Sequence, residues 1–255
     1  MSATRKLKLT IAYDGRPFCG WQSQAGKNAV QDRLEAALGK VGGGSRIPLH
    51  GSGRTDAGVH ALAQVAHAEV PRDRLTSAQW LAALNAHLPP EIRVLRTQWA
   101  GPEFHARFSA KGKRYFYRIW NQPVFAPLEV GRAWHVFQPL DLERLRHGAE
   151  ILTGTHDFGG FAANRGVPCP DTVRTIRRIE ITGRPGGLIT LKFEGDGFLY
   201  KMVRLLTGSL VRVAQGKAEP EWLQGLLTTP EPGAPRVKSS FAAPAEGLYL
   251  ARVLY

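Results

Sequence analysis

Cysteine is almost missing from this chain. Cys19 and Cys169 are the only two among 255 residues, and they form no CxxC pair. A disulfide scaffold and a cysteine zinc site are therefore excluded. No uninterrupted apolar stretch approaches the ~18–20 residues of a membrane span, so an integral membrane protein is excluded as well. Arg5, Lys6 and Lys8 near the N-terminus are followed by neither an apolar signal core nor a small-residue cleavage site. The histidines show no HExxH or similar ligand spacing, and no metal is expected. GxxxxGK[ST] and GxSxG are both missing, which removes a Walker phosphate loop and a hydrolase elbow. The expectation these absences leave is a reduced, soluble, cytoplasmic protein without cofactor.

Acidic residues are also in short supply. Lys and Arg total 34 against 21 Asp and Glu, a formal net charge of +13, and the pI is about 10.2. An excess of this size favours a polyanionic partner, because each phosphate neutralised releases condensed counterions. Nucleic acid is the leading candidate, ahead of a basic but uninvolved surface. At 43% hydrophobic and 22% charged, the chain has enough apolar material for a packed core. Its length suits one large domain or two small ones.

Hydrophobic periodicity shows one pattern, then the same pattern again. Leu7, Leu9, Ile11 and Tyr13 alternate as a strand; Val30, Leu34, Leu38 and Val41 follow at helical spacing. Asn28 is placed as N-cap of that helix, with Gln31 three residues on, and Gly42 to Gly44 stop it. Short strands at Ile47–His50 and Leu62–Val70 flank a glycine-rich turn; a helix over Ser77–Leu88 and a strand over Ile92–Thr97 complete the set. From Lys113 the cycle restarts. A strand carries Tyr115, Tyr117 and Ile119, and a helix capped by Asp141 follows. Arg174–Thr182 and Leu188–Glu194 form a hairpin around Pro185-Gly186-Gly187. Phe198–Ala214 is the strongest helix, Thr229–Ala245 a long loop, and Leu248–Leu254 a closing strand. The fold class is α+β: two tandem ferredoxin-like halves in the order β-α-β-β-α-β, 1–103 and 104–255. Their antiparallel sheets are expected to form a platform with a central cleft.

Three segments carry candidate chemistry. Gly51-Ser52-Gly53-Arg54-Thr55-Asp56-Ala57-Gly58-Val59-His60-Ala61 lies between two strands, and its glycines allow a tight fold that presents Arg54 and Asp56 at defined angles. Composition alone leans toward a plain turn, with Asp56 in an Asx hydrogen bond and Arg54 solvated. Phe104 to Trp120 interleaves cations with aromatics, which suits RNA: cations meet phosphates and rings stack on unpaired bases. The plainer alternative buries the rings on one strand face and solvates the cations on the other. In the Phe198–Ala214 helix, Leu199, Val203, Leu206 and Leu210 form one stripe. Lys201, Arg204, Gly208 and Arg212 share another face, where the glycine would admit a second backbone. A buried Arg204 would need a carboxylate partner.

Taken in order, these segments resemble the bacterial tRNA pseudouridine synthase A family. Tyr13-Asp14-Gly15-Arg16-Pro17-Phe18-Cys19-Gly20-Trp21-Gln22-Ser23-Gln24 is similar to the family's opening motif, YDGxxFxGWQxQ. Val30-Gln31-Asp32-Arg33-Leu34-Glu35 is similar to its VQxxLE helix, and Gly53 to Ala61 to its catalytic loop. Leu84-Asn85, Leu88-Pro89, Phe104 to Ala110, His156-Asp157-Phe158, Arg174-Thr175-Ile176, Met202-Val203-Arg204 and Ala245-Glu246-Gly247-Leu248 continue the likeness. The resemblance implies two ferredoxin-like halves, a homodimer gripping tRNA, and isomerisation of uridine in the anticodon stem-loop (tRNA positions 38–40) without cofactor or metal. It implies Asp56 as catalytic carboxylate and Tyr115 as the substrate-contacting tyrosine. Arg204 becomes the partner of the aspartate, and Arg54 the side chain that enters the helix as the target base leaves. For Asp56 it reverses the leaning toward a plain turn. Ala29 departs from the Thr or Ser often found before Val-Gln, with Asn28 left to cap. The loop Ala162–Asp171 matches no role.

Two rivals stand beside this expectation. One is a non-catalytic tandem RNA-binding module, for which the same aromatics and cations would serve; the other is a sister pseudouridine synthase with a different RNA target. The loop Arg54-Thr55-Asp56 separates the first, since a passive binder has no need of a carboxylate facing phosphates.

Overall fold

The computed structural model describes residues 4–26, 28–164, 166, 171–231 and 234–255. Cys169 and most of the 165–170 stretch of the unassigned loop lie outside them. Two compact units emerge: Met1–Lys111 with Tyr249–Tyr255, and Gly112–Leu248. The expected division was 1–103 and 104–255. The last strand is counted with the first unit because its start hydrogen-bonds there. None of the helices among the described residues is long and apolar enough to cross a membrane.

The first unit follows the expected element order: β1 (Thr4–Tyr13), α1 (Val30–Gly42), β2 (Leu49–Gly51), β3 (His60–Pro71), α2 (Ser77–His87) and β4 (Ile92–Trp99). β1 is central, antiparallel to β4 on one side and β3 on the other. β2 pairs antiparallel with the far end of β3, Leu49 opposite Ala68. The strand order is thus β4-β1-β3-β2. Alternation along β1 buries Leu7, Leu9 and Ile11 completely, and Leu34 and Leu38 of α1 and Trp80 and Leu84 of α2 are just as fully buried. Thr76 caps α2, its hydroxyl accepting from Gln79 N–H while Gln79 Oε1 accepts from Thr76 N–H.

α1 is capped differently from expectation. Ala29 occupies the cap position, and Asp32 Oδ2 accepts from Ala29 N–H at 2.9 Å. Asn28 is drawn away because its amide donates to Pro17 O at 2.9 Å. Gln31 holds Leu49 O and Glu35 instead.

The second unit holds β5 (Gly112–Trp120), β6 (Trp134–His135), α3 (Leu142–Ile151), β7 (Gly154–Asp157), β8 (Val173–Thr182), β9 (Leu188–Gly195), α4 (Met202–Ala214) and α5 (Trp222–Leu227). β5, β9, β8 and β7 are successive antiparallel neighbours, and β6 runs parallel to β5. Asp141 caps α3 as expected, accepting from Glu143 and Arg144 N–H. β6, β7 and α5 are too short to show a period in the sequence. The strand β10 (Leu248–Leu254) was expected to close this half. Its Tyr249 and Leu250 pair parallel with His60 and Ala61 of β3, a pairing the sequence pattern does not show.

The strongest sequence helix is shorter than its pattern. α4 begins at Met202, not Phe198, because Lys201 takes a left-handed conformation (φ 58°) that ends any helix running into it. The loop after α5 is sewn onto this unit. Ala243 N–H donates to Arg204 O, Ser239 N–H to Gly160 O, and Arg236 pairs with Asp157 at 2.8 Å.

Candidate active site

The loop joining β2 to β3 alternates in exposure. Ser52 and Thr55 are buried, Arg54 is exposed, and Asp56 is half-buried. Its ascending limb is fixed by Gln64 of β3, which has no exposed surface. The Gln64 amide accepts from Ser52 Oγ at 2.6 Å and donates to Gly53 O at 3.0 Å. The far limb closes on itself: Val59 N–H donates to Asp56 O at 3.2 Å, with Gly58 at φ 78°. Only glycine takes that backbone shape without strain.

The opening segment of the chain is the clamp on this loop. Tyr13 OH and Thr55 Oγ1 lie 2.8 Å apart, and Trp21 N–H donates to Thr55 O at 3.1 Å. Gly20 sits at φ 101°, where a Cβ would stand 2.6 Å from Thr55 O; at Gly15 a Cβ would stand 2.1 Å from Val59 O. Both glycines are therefore required by close backbone approach. Burial pushes the Tyr13 hydroxyl above its ordinary range, so it stays protonated. Two motifs some forty residues apart are one structure. Sequence reasoning noted both without joining them; the paired glycines were the available signal.

His60 finishes the clamp and is 3% exposed. Its Nδ1 accepts from Gly15 N–H at 3.2 Å and lies 3.3 Å from Asp14 Oδ1, and its ring stacks on Tyr249 at 4.5 Å. Burial raises the Asp14 carboxyl, but hydrogen bonds from the Arg16 side chain and backbone, together with His60, outweigh it and hold it below the ordinary range. Asp14, Arg16 and His60 were not singled out from sequence.

Tyr115 and Arg204 belong to the second unit. Tyr115 stands on β5 opposite Phe193 and is 9% exposed. Its ring meets Phe198 edge-on at 5.1 Å. Arg204 is half-buried in the first turn of α4, and its Nε donates to Ala243 O at 2.7 Å. One turn on, a Cβ at Gly208 would lie 2.2 Å from Phe241 O, so the glycine on this face does admit a second backbone. Arg54 and Asp56 thus share one loop of the first unit, while Tyr115 and Arg204 occupy a strand and a helix of the second.

A family model described as tRNA pseudouridine synthase matches residues 9–109 and 149–255. The chain belongs to the tRNA pseudouridine synthase family. It is 45% identical to tRNA pseudouridine synthase A of Akkermansia muciniphila, over 98% of this chain and 95% of that protein. Against tRNA pseudouridine synthase A of Geobacillus kaustophilus the identity is 42%, over 99% and 95%. Against tRNA pseudouridine synthase A 1 of Protochlamydia amoebophila it is 41%, over 97% and 95%. The stretches matched by the family model contain the clamp, the Arg54–Asp56 loop, β8, β9 and α4; the 110–148 stretch that bears Tyr115 falls outside that model but within the near-full-length matches to the relatives.

Proposed function

We propose that this chain converts uridine to pseudouridine in the anticodon stem-loop of tRNA, with Asp56 as its catalytic carboxylate. The observation that carries this reading is the build of the 53–60 loop. A half-buried carboxylate lies two residues from an exposed guanidinium, on a loop clamped by buried hydrogen bonds and two glycine contacts. In a chain of net charge +13, a rigidly held carboxylate opposes phosphate binding and makes sense for chemistry on the nucleotide.

The reaction breaks the C1′–N1 glycosidic bond, turns the base, forms C1′–C5, and moves the C5 proton to N1. Atoms and electrons balance without any co-substrate. A stem uridine must first leave its stack, at a cost of a few kcal/mol. Arg54, exposed beside Asp56, is suited to enter the vacated position, and phosphate contacts offset the rest. In this reading Tyr115 walls the everted uracil, and Arg204 orients Asp56 through a charge-assisted pair. The strand order β4-β1-β3-β2 supports reading the first unit as a ferredoxin-like half. Homodimerisation and a cytoplasmic setting belong to the same proposal.

The test uses purified protein and unmodified tRNA transcripts, with pseudouridine mapped by carbodiimide-dependent primer extension. New stops confined to the anticodon arm are expected. Tight binding with no new stop in any transcript would favour the non-catalytic RNA module, and stops elsewhere would point to the sister-enzyme reading.

A further inference from the structure

The segment Phe104-His105-Ala106-Arg107-Phe108-Ser109 has no part in the chemistry above, yet it is one of the most tightly tied turns in the first unit. Five successive backbone N–H groups are satisfied. His105 N–H donates to Ser109 Oγ, Ala106 N–H to His67 Nδ1, Arg107 and Phe108 N–H to His105 Nδ1, and Ser109 N–H to His105 O. Tyr255 OH adds a bond to Ala106 O at 2.7 Å. The two phenylalanines part company on this frame. Phe104 turns inward, its ring 5.1 Å from Tyr255, with Lys8 Nζ 4.8 Å from its centre. Phe108 turns outward and is 77% exposed.

A single exposed apolar side chain signals nothing by itself. What marks Phe108 is its mounting. Its ring lies 4.4 Å from the His105 ring, tilted by 32°, and the Arg107 guanidinium stands 5.6 Å from its centre. Lys6, whose ammonium donates to Pro102 O, adds a second cation beside the turn. A ring presented on a frame that is already ordered, with cations next to it, binds a planar base at little entropic cost.

We propose that Phe108 and Arg107 form a stacking platform for an unpaired base of the tRNA substrate, distinct from the uridine that is isomerised. This rests on the reading above that tRNA is the substrate. The ring supplies a sequence-tolerant stacking face, and Arg107 meets the adjoining phosphate.

The experiment is a salt series of tRNA transcript affinity for wild type, Phe108→Ala, Phe108→Trp and Arg107→Ala, with Tm and sedimentation measured for each. Phe108→Ala is expected to bind about 5- to 100-fold more weakly with an unchanged salt slope, and Phe108→Trp to bind like wild type. Arg107→Ala is expected to flatten the slope by about one ion. A fully paired RNA duplex is expected to bind wild type and Phe108→Ala alike. Wild-type affinity in Phe108→Ala overturns the platform. So does an affinity loss that tracks a changed sedimentation coefficient, which makes the turn a contact between copies. Pseudouridine formation by wild type on the same transcript is scored in parallel. Product with a neutral Phe108→Ala sinks the platform alone, whereas no product from wild type sinks the functional reading.

Discussion

The hydroxyls of Tyr13 and Thr55 meet at 2.8 Å in a buried setting, one residue before the proposed catalytic carboxylate. This contact joins the end of β1 to the 53–60 loop and places Asp56 through its neighbour.

Removing the Tyr13 hydroxyl leaves Thr55 Oγ1 short of a buried partner. Tyr13→Phe should lose about 1–3 kcal/mol of stability. Because Tyr13 is only 4% exposed, tRNA affinity should hold while the single-turnover rate falls. Quench-flow turnover beside filter binding checks the split; an unchanged rate would show that the hydroxyl pair does not position Asp56.

Gly20 offers a sharper backbone test. Gly20→Ala forces an L residue to φ 101° and drives a methyl toward Thr55 O. The strain alone should cost about 1–3 kcal/mol, readable in urea unfolding, and turnover should fall by more than stability explains. Wild-type turnover in Gly20→Ala would mean the loop tolerates displacement.

Much of this was legible beforehand, and the exceptions have physical causes. Alternation in β1 and the turn chemistry at Pro185-Gly186-Gly187 appear where local pattern set them, because propensity and burial agree there. Asn28 misled because its amide finds Pro17 O, a partner eleven residues earlier that no capping rule contains. Phe198–Leu199 misled because their apolar period continues through Lys201, whose left-handed backbone is set by its surroundings. β10 lies where its alternation set it, but nothing in that alternation marks its pairing with β3. Of the site, Asp56 and Arg54 stood out because glycines and charge are local signals. The Asp14–His60 clamp stayed hidden because it exists only once β1 and β3 pair.

Asp157 is the corresponding knot of the second unit. Burial alone would raise its carboxyl, but bonds from Arg236, Thr172, Gly159 N–H and Thr229 overrule that and hold it well below the usual carboxylate range. Asp157→Asn should cost about 3–5 kcal/mol, since Arg236 loses its partner. A group with a depressed folded value stabilises at every pH above the unfolded carboxylate range and loses that contribution as pH falls through the folded value. The gap between wild type and Asp157→Asn should therefore be constant from pH 8 to pH 5 and narrow only in stronger acid. A gap that closes already near neutrality would contradict the assignment.

His67 gives a separate pH signature in the first unit. Burial chiefly, then its neighbours His105, His50 and Lys6, lower it to about 4. Its Nδ1 accepts from Ala106 N–H, which an imidazolium cannot do. An unfolded histidine titrates near 6.5. Between that pH and about 4 the unfolded chain takes up a proton that the folded chain refuses, so stability should fall as pH falls through the window. His67→Asn keeps an acceptor but does not titrate, and its urea midpoint should vary less with pH. Parallel curves for the two proteins would rule His67 out.

The most direct measurement is turnover of Asp56→Asn on unmodified tRNA, set beside its tRNA affinity. The substitution keeps size and one acceptor oxygen while removing the charge. The account predicts no pseudouridine over prolonged incubation, with affinity equal to or slightly above wild type. Appreciable product from Asp56→Asn would contradict it.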